Sequence, residues 1–107
     1  MRQCYWTLEG KTPKPAGNLV EWARWFDDPS SNRTVGNWQG KRGSSVSTVF
    51  LGLDHNFGGD GPPLLFETMV FGGLFDDEQK RYATYEEAEK GHLLMVELAR
   101  QAEEDEG

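Results

Sequence analysis

"LGLDHNFGGDGPPLLF", residues 51–66, places an Asp–His pair and a glycine–proline loop between two apolar runs. An Asp beside a His is a combination suited to metal ligation or to proton transfer. Neighbours on an extended chain point to opposite sides, so Asp54 and His55 converge only if the backbone bends between them. Phe57, in the same loop, either folds back onto the core or docks into a partner. No HxH, HExxH or CxxC spacing accompanies the pair, and the glycines lack the Lys–Ser/Thr ending and following helix of a phosphate cradle. The residues read first as a shaped turn, with a ligand contact and a metal or catalytic site as the alternatives.

Glu67 interrupts "LLFETMVF" (64–71), where an unpartnered buried carboxylate is costly. Either it faces water beside Leu65 and Met69, or it is buried against His92 or Arg81. A buried Glu67–His92 pair would be a site of perturbed acidity. Tyr82, next to Arg81, joins these candidate contacts. A different chemistry is suggested by Arg33, Lys41 and Arg42, a basic patch open to a small anionic ligand, with Trp38 available to stack on a ring. Cys4 reads as an inert core thiol, and no nucleophile-elbow or triad spacing is present.

The elements that must position these residues follow from periodicity. "QCYWTLEG" (3–10) is a short β-rich run, and "KTPKPAG" reads as a loop because proline lacks a backbone donor. Asn18 and Glu21 have capping-box spacing, with Leu19, Trp22 and Phe26 on one face of a short helix. That face cannot hide Trp22, Trp25 and Phe26 together, and an exposed Trp would serve as an interface anchor. "RTVGNW" (33–38), "VSTVFLGL" (46–53) and "LLFETMVF" read as strands, the last two as central strands covered on both faces and joined by a wide hairpin loop. "RYAT" is an edge strand or lead-in. Thr84 and Glu87 cap a second helix whose stripe is Ala88, His92, Met95, Ala99 and Ala102, with Leu94 and Leu98 beside it. Gly91 within that helix implies close approach to the sheet.

The expectation is an α+β fold: a small antiparallel sheet of about four strands in β-α-β-β-β-α order, with two helices packed on it. Residues 1–102 form one domain, and residues 103–107 form an acidic tail that frays. The chain has 107 residues, a net charge of −7 and one cysteine. Residues 1–53 carry seven basic and four acidic side chains, and the remainder carries four and fourteen. So acidic a chain repels a phosphate backbone over most of its surface, which excludes general nucleic-acid binding. No run of about 18 apolar residues or apolar leader is visible, and a lone cysteine fits a reducing cytoplasm.

"VSTVFLGLDHNFGGDGPPLLFETMVFGG", with "RYATYEEAEKGH", "YWTLEGKTPKP" and "LVEWARWF", resembles short uncharacterised proteins of tailed bacteriophages and prophages. The resemblance spans about residues 5–92. It implies a small accessory protein made by a mobile element in a bacterial cytoplasm, of a type that blocks host defences. The favoured expectation is a non-enzymatic inhibitor, needing no cofactor, that binds a host protein or sequesters a small signalling nucleotide. A homodimer is compatible with either. The alternatives are a small enzyme around Asp54, His55, Glu67 and His92, and a phage structural or assembly protein.

Overall fold

The computed structural model describes residues 3–56 and 59–105. The order is β1 (Trp6–Glu9), β2 (Thr12–Pro15), α1 (Leu19–Asp27), β3 (Thr34–Gln39), β4 (Ser45–Phe50), β5 (Phe66–Phe71), β6 (Gln79–Tyr82) and α2 (Tyr85–Asp105). β3 to β6 form an antiparallel meander in sequence order, and β1 and β2 form a separate two-stranded ribbon. The α+β class and the helices packed on the sheet are as expected.

β2 corrects the loop expected at 11–17. It pairs Glu9 with Thr12, Leu8 with Pro13, Thr7 with Lys14 and Trp6 with Pro15, and Ala16 N–H donates to the Tyr5 carbonyl at 2.9 Å. Antiparallel ladders alternate hydrogen-bonded and non-bonded pairs. With 5/16 a bonded pair, Pro15 and Pro13 fall at non-bonded positions, where a missing N–H costs nothing. Prolines on an edge ribbon are thus compatible with a strand.

β4 and β5 run in register from Ser45 opposite Phe71 to Phe50 opposite Phe66. Burial alternates along both. Val46, Thr48, Phe50, Phe66, Thr68 and Val70 are buried under α2, while Ser45, Ser47, Val49, Glu67 and Met69 on the other face are half-buried. Among the described residues the two faces are therefore not equally covered, contrary to expectation: α2 covers one, the other is only half-buried, and α1 reaches the covered face through Trp25, edge-on to Phe50 at 5.8 Å. Asn18 caps α1 by accepting from Glu21 N–H at 2.9 Å. Leu19 of the expected α1 stripe is exposed, and all four tryptophans are half-buried. Cys4 is exposed, not a core thiol.

Thr84 caps α2 through Glu87 N–H at 3.1 Å and donates to the Glu87 carboxylate at 3.0 Å. Ala88, His92, Ala99 and Ala102 are buried as the stripe predicts, but Leu94 is exposed. The helix does not fray at residue 103. Glu103 is buried, and its Oε2 accepts from Arg42 N–H (3.1 Å) and Ser44 N–H (3.0 Å) in the β3–β4 turn. These bonds hold the carboxyl below its ordinary range, the backbone donor of Ser44 being the leading cause. A tertiary partner outweighs the unfavourable helix dipole there.

Candidate functional site

The 51–65 loop is a wide connection laced from inside. Its stem closes by Leu51 N–H to Leu65 O (2.7 Å) and His55 N–H to Leu64 O (2.9 Å), and the N-terminal segment clamps it through Asp54 N–H to Cys4 O (2.9 Å). Asp54 is only 5% exposed, and its Oδ1 accepts from Asn56 N–H (2.8 Å) and Leu64 N–H (3.1 Å). The Asn56 amide donates to the carbonyls of Asp60 and Pro62. The His55 Nδ1 donates to Leu53 O at 2.9 Å. Asp54 thus acts as a two-point organiser of the backbone. Phe57 lies outside the described residues.

Glu67 and His92 are on opposite faces of the sheet, so the pair suggested by sequence does not form. Glu67 takes its other expected partner: Arg81 Nε donates to Oε2 at 2.9 Å and Gln79 Nε2 to the same oxygen at 2.5 Å. His92 instead ends a buried hydrogen-bond chain. Tyr82 OH donates to Thr68 Oγ1 (3.1 Å), Thr68 and Thr48 share a hydrogen bond at 2.6 Å, and Thr48 Oγ1 lies 2.7 Å from His92 Nδ1.

One direction satisfies every member of that chain. Tyr82 donates to Thr68, Thr68 to Thr48, and Thr48 to an unprotonated Nδ1. Burial lowers the His92 pKa, which favours this neutral form. The chain separates two apolar clusters, Phe50–Leu65–Phe66–Tyr82–Ala88 and Val46–Val70–Ala99. Two glycines admit it. A Cβ on Gly36 would sit 2.5 Å from His92 Nε2, and one on Gly91 would overlap the Tyr82 hydroxyl. The close approach expected at Gly91 is therefore present.

The basic patch divides. Lys41, Arg42 and Trp38 line one cleft, together with Gln39, Arg100 and Glu103. Arg33 is elsewhere, its guanidinium 3.7 Å above the Phe26 ring, and it lines a different depression with Pro29 and Val49. The reason is the length of β3, which separates position 33 from the 40–44 turn.

A surface outside the candidate site residues of the sequence is the β5–β6 connection, 72–78, where "GGLFDDEQK" reads simply as a surface loop. Phe71 is 48% exposed and Leu74 is 71% exposed, with exposed Asp76, Asp77 and Glu78 in the same loop. The backbone around them is fixed. Asp76 Oδ1 accepts from Gly72 N–H at 2.6 Å, Asp77 N–H donates to Val70 O at 2.9 Å, and Val70 N–H to Glu78 O at 3.0 Å. Phe75 anchors the loop on the Val46–Val70–Ala99 cluster. The available signal was parity: once Glu67 faces outward, Met69 and Phe71 share its face.

Among the described residues, no three His, Cys, Asp or Glu are grouped to hold a metal ion, and no helix is long and apolar enough to cross a membrane. Comparison with known protein families, curated proteins and solved structures finds no match to this chain.

Proposed function

We propose that the chain is a small accessory binding protein of a mobile element, acting by occupying a basic surface on a host protein. The observation that carries this reading is the 71–78 tip: two large apolar side chains held out of the core on a fixed backbone, with the exposed acids Asp77 and Glu78 in the same loop. An apolar anchor with a charged rim is the usual anatomy of a protein-binding patch. The acidic rim matches a basic partner, steering its approach while the apolar pair supplies most of the binding energy. The phage resemblance of the sequence supplies the host context.

The test is affinity capture from lysate of a bacterial host with the wild-type chain and with a Phe71→Ser, Leu74→Ser variant. A partner of basic isoelectric point should be retained by the wild type and lost, by about tenfold or more, in the variant. Retention by both chains, or capture of acidic partners only, would overturn the reading. Asp77→Asn with Glu78→Gln should slow association and flatten its dependence on salt, leaving dissociation nearly unchanged.

A further inference from the structure

The cleft at the C-terminal end of α2 carries a second, separate binding chemistry. It has a volume of about 540 Å³ and is lined by Trp38, Gln39, Lys41, Arg42, Arg100 and Glu103, among others. Its acids are already engaged. The Glu103 carboxylate accepts from the Arg42 and Ser44 amides of the 40–44 turn, and Glu104 pairs with Arg100 at 2.5 Å. A Cβ on Gly40 would stand 2.5 Å from the Glu103 oxygens, so the turn is closed tightly around that carboxylate.

Its cations are not equally engaged. Arg100 also pairs with Glu97 at 2.6 Å, but among the described residues neither Lys41 nor Arg42 has an ion-pair partner. Two adjacent unpaired cations are notable in a chain of net charge −7. Trp38 packs on the Val46–Val70–Ala99 cluster and lines the cleft as well. Among the described residues its indole N–H has no hydrogen-bond acceptor, whereas those of Trp6 and Trp22 donate to the carbonyls of Gln3 and Gly52.

We propose that this cleft binds a small flat-ringed anion of the nucleoside monophosphate class, its ring against Trp38 and its anionic group between Lys41 and Arg42. Glu103 already occupies the Arg42 and Ser44 amides of the turn, so the phosphate falls to the side chains. Glu97, Glu103 and Glu104 balance Arg100, Lys41 and Arg42 in number, so the cleft carries no large positive charge, which favours a ligand of low charge over a triphosphate. Ring stacking and charge-assisted hydrogen bonds contribute comparably, so neither half of the ligand binds well alone. This inference stands apart from the apolar tip: Phe71→Ser with Leu74→Ser should leave it intact.

Calorimetric titration of the intact chain with the four ribonucleoside 5′-monophosphates, and with adenosine and inorganic phosphate as separate halves, tests it. At least one monophosphate should bind, and each half should bind at least about tenfold more weakly. Lys41→Glu with Arg42→Glu should lower nucleotide affinity by more than about tenfold. Trp38→Leu should lower it similarly, and if that chain fails to fold, Lys41→Ala with Arg42→Ala serves on its own. No binding by any monophosphate at millimolar concentration, unchanged affinity after charge reversal, or equal affinity for inorganic phosphate would each overturn the proposal.

Discussion

β5 has a glycine-rich connection at each end, and the two put their side chains to opposite use. In the 51–65 loop, Asp54 and Asn56 turn inward and bind backbone groups of the loop itself. In the 72–78 loop a single inward carboxylate, Asp76, holds the turn, Phe75 anchors it, and Phe71 and Leu74 remain outside. Glycine content does not separate the two. Both close by backbone bonds and an inward carboxylate; what separates them, among the described residues, is that only the second leaves large apolar side chains exposed. The first arrangement makes a scaffold, and the second makes a surface.

Substitutions should break this contrast in graded fashion. Asp54→Ala leaves the Asn56 and Leu64 amides without their acceptor and should cost about 2–3 kcal/mol in denaturant unfolding. A loss below about 0.5 kcal/mol would mean that Asp54 does not organise its loop.

Both loops hang from the strand that carries Thr68, so acid tests their shared support. Burial holds the folded His92 pKa below its ordinary 6.5, so below that pH the unfolded chain binds more protons than the folded one. Stability should be complete above about pH 6.5, fall as pH drops through that value, and level off once folded His92 also protonates. A protonated Nδ1 must donate, which reverses the Thr48–Thr68–Tyr82 chain. His92→Gln should flatten this part of the profile measured by thermal unfolding.

Smaller again, Asp76→Ala removes one exposed bond to Gly72 N–H and should cost about 1 kcal/mol. The least effect on stability should come from Phe71→Ser with Leu74→Ser, within about 0.5 kcal/mol per exposed site. A large destabilisation there would show that these side chains pack in the fold and are not reserved for a partner.

The contrast also explains what could be read in advance. Helix caps at Asn18 and Thr84, the α2 stripe and the β4–β5 hairpin rest on contacts a few residues apart or on strong periodicity, and these were legible. β2 was not, because the rule against proline depends on ladder register, which only pairing with β1 fixes. Glu103 looked like part of a fraying tail because its partners, Arg42 and Ser44, are about sixty residues away. Arg33 was grouped with Lys41 and Arg42 by charge alone, and the strand between them carries it off to Phe26. Phe71 was hidden inside an apolar run whose parity becomes visible only when Glu67 is placed.

A photo-reactive phenylalanine analogue introduced at Leu74 in one chain and at Asp60 in another, followed by irradiation in the bacterial host, tests the central claim most directly. A discrete covalent adduct to one host protein at position 74, with none at position 60, is the predicted result. An adduct at position 60 alone, or none at either position, would contradict the assignment of the 71–78 tip as the contact surface.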